Sequence, residues 1–206
     1  MEHQDFTGIV PAQYTGNEIE AEASVELNDD IVAQNFFEVA KQRLLNVNNW
    51  HAVAGVISAK FQLINETGEE VNRIAQKGDY FKIDIPGPGS AQGGGYDWVC
   101  VEELKEVAKA GVQSIGFRVR PSPNPFGSKN ETAHFYAADA SSNFILTREN
   151  SKLTAWIVDR NIKPNDHATS LTDKVRDVAV GIGAMGMFSK VQWQGLAEGL
   201  IKRDDQ

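Results

Sequence analysis

The chain has 206 residues, 41% of them hydrophobic and 23% charged, a composition typical of a single folded domain. Its formal net charge of −8 argues against a nucleic-acid partner and against attraction to anionic membranes, because both require a basic face. The single cysteine, Cys100, excludes an internal disulfide. No signal-peptide pattern and no membrane-spanning apolar run is visible, so we expect a cytoplasmic protein without membrane insertion.

The first part of the chain predicts an arm, a strand and a helix. Residues 1–20 are polar and irregular, and we interpret them as an N-terminal arm ahead of a single domain at 21–206. Residues 21–28 alternate between apolar and polar side chains, which predicts a first strand. Asn28, Asp29 and Asp30 supply N-cap chemistry, and residues 31–50 then show helical periodicity.

Period-two alternation dominates the middle of the chain. It predicts strands at 55–65, 79–87, 96–107, 112–121, 133–150 and 152–162, of which 133–150 is one interrupted strand or two short ones. Short, turn-rich connections join most of these segments, which indicates an antiparallel sheet with one face covered.

The last segment, 171–201, returns to helical periodicity. Its apolar stripe consists of Leu171, Val175, Val178, Ile182 and Met185, and a second stripe includes Leu196 and Leu200. Ser189 interrupts the stripe, and three glycines lie within six residues at 181, 183 and 186. Because interior glycines weaken a helix, we predict a bend or break between Gly181 and Lys190.

The resulting α+β order resembles the helix-grip fold of the START and Bet v 1-like (SRPBCC) superfamily. The resemblance rests on the opening strand ASVELN, the helical region ending in NNWHAVAG, the strands from Gly55 to Ile162 and the amphipathic segment from Leu171. It implies a curved antiparallel sheet of about six to seven strands packed on a long C-terminal helix. It provides no family catalytic residue that could be assigned to a position of this sequence.

The resemblance further implies a cavity between the sheet and the terminal helix, with Ile182 and Met185 on its helix wall. Members of the superfamily bind lipids, polyketides and other apolar molecules there, so a small, largely apolar ligand is the expected partner. Two alternatives stay open. One is an enzyme of the same fold, of cyclase or dehydratase type, with His134 or a carboxylate such as Asp159 as general acid or base. The other is a non-catalytic interaction module.

Strand parity supplies the candidate binding residues. Alternate residues along a strand face the same side of the sheet, and one such set is apolar: Ile115, Phe117, Val119, Phe135, Leu153, Ala155 and Ile157. The other mixes aromatic, basic and polar side chains: Trp98, Arg118, Arg120, His134, Tyr136, Thr154, Trp156 and Arg160. This second face is interpreted as a solvated surface, a polar-lined pocket or a homodimer interface. In a pocket, Arg118, His134 and Arg160 would meet a carboxylate or phosphate. The aromatic members would form stacking walls.

Other motifs give weaker signals. Residues 181–186 spell G-x-G-x-x-G, but too few residues follow for the βαβ unit of a dinucleotide site, so we expect no nucleotide cofactor. The glycine-rich stretch 86–95 lacks the lysine of a P-loop. The histidines show no ligand spacing with one another or with Cys100, and we expect no metal.

Overall fold

A computed structural model describes residues 4–55, 59–85, 93–127, 131–165 and 175–203, and within 175–185 it describes the backbone alone. The seven strands are β1 (Asn17–Glu26), β2 (Lys60–Ile64), β3 (Tyr80–Asp84), β4 (Asp97–Lys109), β5 (Val112–Pro121), β6 (Ser141–Glu149) and β7 (Lys152–Ile162). The helices are α1 (Asp30–Leu45), α2 (Trp50–Val53) and α3 (Val175–Leu200), with a 3₁₀ turn at Val47–Asn49 between the first two.

The strands form one antiparallel sheet in the order β1-β7-β6-β5-β4-β3-β2. The α+β class, the seven-stranded sheet and the C-terminal helix predicted from the sequence are therefore confirmed. Two boundaries differ from the prediction. β1 begins at Asn17 rather than at 21, and only 141–149 of the predicted strand 133–150 joins the sheet. The segment before β6 is irregular and touches the sheet through an isolated bridge between Tyr136 and Pro164.

The helical region before β2 places a tryptophan at the centre of the core. The predicted N-cap is confirmed, because the Asp29 carboxylate accepts a hydrogen bond from Val32 N at 2.9 Å. After the 3₁₀ turn, Trp50 is 1% exposed and donates its indole N–H to the carbonyl of Leu44 at 3.0 Å. Its ring contacts the rings of five core residues: Phe61, Phe81, Phe117, Phe144 and Trp193.

Helix α3 runs without interruption from Val175 to Leu200, so no break occurs between Gly181 and Lys190, and the predicted bend there stays a prediction. Later glycines in the helix serve close packing. A Cβ at Gly199 would collide with the backbone carbonyl of Val53, and one at Gly195 would lie 3.0 Å from that of Ala54. Glycine at these two positions lets α3 approach the end of α2, and tertiary packing can offset the low helix propensity of glycine.

The outer face of the sheet carries the N-terminal arm. Ile9 is fully buried there, in a small cluster with Ile145, Trp156 and Val158. Gly116 in β5 leaves the space that Ile9 occupies, because a Cβ at that glycine would lie 2.6 Å from Ile9 Cδ1. The arm therefore covers apolar surface that would otherwise face water.

One asparagine fastens the end of the arm to β7. The Asn161 Oδ1 accepts hydrogen bonds from Tyr14 N at 2.9 Å and Thr15 N at 3.2 Å, and its Nδ2 donates to the carbonyl of Ala12 at 3.1 Å. The Asn161 N–H donates to Oε1 of Gln13 at 2.9 Å. Asn161 has a φ of 58°, a conformation that asparagine tolerates better than most residues.

Candidate functional site

A cavity of about 40 Å³ lies between the sheet and α3. Its described lining comes from the 3₁₀–α2 region, strands β2 to β7, the 134–136 segment and α3: Trp50, Ala59, Phe61, Phe81, Ile83, Ile85, Val99, Val119, His134, Phe135, Tyr136, Ser142, Phe144, Asp159, Phe188, Ser189, Gln192 and Trp193. Most of these side chains are aromatic or aliphatic. The polar minority gives the cavity its chemical character.

Aromatic rings form much of the cavity wall. Phe144 on β6 meets Trp193 on α3 edge to face, with ring centroids 5.1 Å apart and an interplanar angle of 89°. Phe61 tilts against the same indole at 6.4 Å. Because offset and edge-to-face contacts are favourable, such walls suit another planar ring.

Asp159 is the titratable group on the sheet side of the cavity. It is 1% exposed, and its Oδ2 accepts a hydrogen bond from the indole N–H of Trp193 at 2.9 Å. Its Oδ1 has no hydrogen-bond partner among the described residues. Burial raises the pKa of Asp159 to about 6, although the hydrogen bond from Trp193 and the nearby hydroxyl of Ser142 favour its charged form.

His134 is buried, at 6% exposed, and uncharged at neutral pH. Its Nδ1 accepts a hydrogen bond from the backbone N–H of Tyr136 at 2.9 Å, which leaves the ring proton on Nε2. Burial lowers the pKa of His134 to about 3. The segment around it is held by Asn165, whose Nδ2 donates to the carbonyls of Thr132 and His134 at 3.0 Å. His134 therefore lines the cavity as a neutral imidazole.

Two further polar atoms lining the cavity are buried without partners within the described part of the chain. They are the hydroxyl of Tyr136, a residue 5% exposed, and Oε1 of Gln192, a residue 6% exposed. Burial and the nearby charge of Asp159 raise the pKa of Tyr136, which keeps its hydroxyl protonated. Buried polar groups in folded proteins usually have partners, so three such atoms around one cavity indicate a place for a polar occupant.

The structure divides the sequence-predicted site residues between two faces. His134 and Tyr136 line the cavity. Trp98 instead donates its indole N–H to the carbonyl of Gly93 at 3.1 Å and packs against Ile64 and Ala133. Trp156 lies under the arm, beside Ile9.

The two predicted arginines are also absent from the described cavity lining. Arg118 pairs with Glu102 at 2.7 Å and Glu103 at 2.9 Å, and it donates to the carbonyl of Ile9. Arg160 pairs with Glu18 and Glu20. The expectation that these arginines and His134 meet one ligand carboxylate or phosphate fails, because the arginines are committed to glutamates elsewhere. Ile182 and Met185 have side chains outside the described part of the structure.

Sequence reasoning passed over a cavity residue that carried a readable signal. Asp159 shares strand parity with Leu153, Ala155 and Ile157, so it is a polar residue on an apolar face. Its place on the apolar face, and not only its carboxylate, indicates a site residue. Asp97 shows the same signal, since it shares parity with Val99 on β4, and burial raises its pKa to about 7.

The polar gap in the terminal helix was the second missed signal. Ser189 and Gln192 lie in that gap, and both line the cavity. From the sequence alone, the gap favours a bend or break in the helix. The polar side chains instead lie on the helix surface that contributes to the cavity, while Trp193 and Leu196 pack into the core.

The remaining sequence motifs do not form a nucleotide or metal site in the described part of the chain. Residues 181–186 lie inside α3 rather than in a strand–turn–helix, so the geometry of a dinucleotide loop is not present there. Within the described ranges, no group of three or more His, Cys, Asp or Glu side chains is arranged to hold a metal ion. None of the described helices is both long and apolar enough to cross a membrane.

Comparisons with known proteins find similarity among solved structures. A hypothetical protein from Helicobacter pylori has a TM-score of 0.47 and 14% identity over 89% of this chain and 87% of its own. The Zhui aromatase/cyclase from Streptomyces sp. R1128 has a TM-score of 0.38 and 14% identity over 90% and 97%. Ara h 8.0201 has a TM-score of 0.33 and 11% identity over 87% and 99%. No family model and no curated protein matches the chain.

The order of elements is that of the helix-grip fold. A strand and helices precede six further antiparallel strands, and a long helix closes the chain over the sheet. The resemblance predicted from the sequence is thus confirmed at the level of the fold. This order of elements assigns neither a ligand nor a reaction to the chain.

Proposed function

We propose that this chain binds a small, largely apolar molecule in the cavity between the sheet and α3. The observation that supports this most strongly is the combination of aromatic walls with three buried, unpartnered polar atoms, on Tyr136, Asp159 and Gln192. Ligand sites typically combine apolar walls with a few polar groups that fix orientation. A purely structural core would instead be closely packed and would satisfy its buried polar atoms.

The volume of the cavity limits what it holds in the described conformation. A space of about 40 Å³ accommodates roughly three water molecules, at about 10–15 Å³ each on this measure. A known protein cavity that takes benzene measures about 150 Å³. Any ring compound, from toluene or phenol up to a lipid or polyketide, therefore requires one wall to move.

Tyr136 is the wall that we propose moves. It lines the cavity and also an open groove of about 750 Å³ beside the arm, β1 and the exposed side of α3. The groove lining includes Gly16, Ile19 and Met187. Because Tyr136 belongs to an irregular segment rather than to a strand, its displacement breaks few sheet contacts. Rotation of this one side chain would join the two spaces and admit a larger molecule.

The test is binding of toluene, a neutral ring, measured by ligand-detected NMR. Ala59 is 1% exposed and lines the cavity, so Ala59→Val should occupy the free volume and weaken toluene binding about tenfold or more. The control is Ala108→Val, at an exposed position on β4, which should leave binding unchanged. Absence of toluene binding by the unmodified chain, or equal binding by both variants, would contradict the proposal.

An enzyme of the same fold is the second candidate, and Asp159 is the observation in its favour. A buried carboxyl with a pKa of about 6 and one free oxygen in a mostly apolar cavity suits general acid or base catalysis. His134 suits this less, since its Nδ1 is occupied and its pKa is lowered to about 3. Turnover of a bound ligand that is lost in Asp159→Asn, with binding retained, would identify the enzyme.

The third possibility, an interaction module, has less support. It relied on a bare aromatic face of the sheet, and the chain covers that face itself. The arm residue Ile9 packs on Trp156, and the ring of Phe126 lies edge-on to Trp98 at 5.7 Å. A homodimer through these aromatic residues would first have to displace those segments.

A further inference from the structure

The unpartnered polar atoms of the cavity differ in whether they accept or donate hydrogen bonds, and this determines which ligand groups they can bind. Asp159 and Gln192 each present an oxygen without a partner among the described residues, Oδ1 on β7 and Oε1 on α3. An ionised carboxylate and an amide oxygen only accept hydrogen bonds. The third unpartnered atom, the hydroxyl of Tyr136, can donate or accept. The unmet demand is therefore mainly for donors.

The fold fixes which carboxylate oxygen stays free. The indole N–H of Trp193 can only donate, and it is directed at Oδ2 of Asp159 at 2.9 Å. Trp193 is itself held in the aromatic cluster by Phe144 and Trp50. Because this anchor holds the carboxylate by one oxygen, Oδ1 is left for an occupant.

The cavity also lacks the groups that would attract an anion. No lysine or arginine occurs among its described lining residues, and His134 is uncharged at neutral pH. Arg118 and Arg160, the two arginines that the sequence predicted to meet a ligand, instead pair with glutamates outside the described cavity lining. A buried anionic ligand beside the Asp159 carboxylate would meet repulsion without a compensating charge.

We propose that the ligand is a neutral ring compound whose polar end is a hydroxyl donor, held by Asp159 Oδ1 and Gln192 Oε1 while its ring packs among Phe144 and its neighbours. This inference rests on the proposed function and specifies the chemical class of the ligand. It distinguishes phenol-like compounds from pure hydrocarbons and from aromatic carboxylates. Hydrogen bonds to buried acceptors, which are costly to leave unmade, provide the discrimination.

The experiment compares three probes of similar size on the full chain at pH 8, where Asp159 is ionised: phenol, toluene and benzoate. Dissociation constants come from ligand-detected NMR titrations. Phenol should bind most tightly and benzoate least. Gln192→Met removes one acceptor at similar volume and should lower the ratio of phenol to toluene affinity about tenfold. Gln194→Met changes the same residue type two positions along α3, outside the cavity, and should leave the ratio unchanged.

A second variant, Asp159→Asn, should change the preferred ligand from a hydrogen-bond donor to a hydrogen-bond acceptor. In Asp159→Asn, the Trp193 N–H still requires the side-chain oxygen, so the NH₂ group takes the place of the free oxygen and points a donor at the occupant. This variant should lose its preference for phenol and bind benzonitrile, which only accepts hydrogen bonds, about tenfold better than the unmodified chain does.

The possible results separate the two proposals. If none of the neutral probes binds, the proposed function fails and this inference fails with it. If toluene binds as well as phenol, or benzoate binds best, the cavity is a ligand site but the donor class is wrong. Unchanged probe preferences in both Gln192→Met and Asp159→Asn would also overturn the inference. Thermal unfolding of each variant confirms that it is folded under the conditions used.

Discussion

The indole N–H of Trp193 donates a 2.9 Å hydrogen bond to the carboxylate of Asp159, and this contact joins α3 to β7 across the cavity. Both partners are buried, at 8% and 1% exposed. The contact uses the one hydrogen-bond donor of the indole, but it engages only one of the two carboxylate oxygens. A carboxylate held in this way makes the stability of the fold depend on pH.

Asp159→Asn should stabilise the protein at neutral pH and not at low pH. The pKa of Asp159 is about 6 in the folded protein and near 3.8 unfolded, so the folded state binds the proton more tightly. The favourable contribution of the protonated form is fully present below about pH 4 and is lost as pH rises through 6. The difference of about two units corresponds to ~3 kcal/mol at pH 7.

Urea unfolding of both proteins at pH 4 and pH 7 measures this effect. Taking the variant minus the unmodified chain cancels the opposite contribution of His134, whose lowered pKa makes the fold lose stability as pH falls below about 6.5. Asp84→Asn, at an exposed position, is the control and should change stability little at either pH. A pH-independent difference for Asp159→Asn would show that the buried carboxyl does not titrate as described.

Two glycines of α3 should respond oppositely to alanine. At Gly186, the nearest atom to an added Cβ is Ile19 Cδ1 at 3.8 Å, an ordinary contact, so Gly186→Ala should stabilise by up to about 1 kcal/mol through helix propensity. At Gly199, the Cβ would overlap the carbonyl of Val53, so Gly199→Ala should destabilise by about 1–3 kcal/mol. Thermal unfolding midpoints report both changes, and shifts of the same sign would contradict this packing.

The arm should contribute measurably to stability. Ile9 is fully buried over β5 and β7, so Ile9→Ala should cost about 2–5 kcal/mol in the free energy of unfolding. Tyr14 in the same arm is 66% exposed, so Tyr14→Ala should cost little. Urea denaturation compares them. Equal, small effects would show that the arm does not stay on the sheet in solution.

The strands of the sheet and the order of strands and helices could be predicted from the sequence, because the alternation and helical periodicity of apolar residues are local properties. Strand parity located the buried face correctly for Ile115, Phe117 and Val119. It failed for 133–140, where the chain leaves the strand path before β6, so parity no longer determines which way His134 and Tyr136 face.

The residues that define the cavity were harder to predict because they become neighbours only through tertiary contact. Asp159 and Gln192 are 33 positions apart, and neither looks unusual until one is placed on an apolar strand face and the other in the gap of a helix stripe. The cover over Trp156 was equally hidden, since an irregular arm gives no periodic signal for Ile9. The signal in the sequence was a polar residue at a position where the pattern is otherwise apolar. In the terminal helix this signal marked the cavity lining and not a break in the helix.

Removing the side chain of Tyr136 should open the cavity to larger molecules. Tyr136 lines both the cavity of about 40 Å³ and the groove of about 750 Å³, so Tyr136→Ala should join them and increase the affinity for naphthalene at least tenfold. Tyr136→Phe keeps the ring in place and removes only an unpartnered hydroxyl, so naphthalene binding should stay as in the unmodified chain. Changes in naphthalene fluorescence on titration measure both. The alanine variant should also unfold at a lower temperature, because truncating a buried aromatic ring costs about 3–5 kcal/mol. Equal naphthalene affinity in the alanine and phenylalanine variants, with both folded, would mean that molecules reach the cavity by another wall.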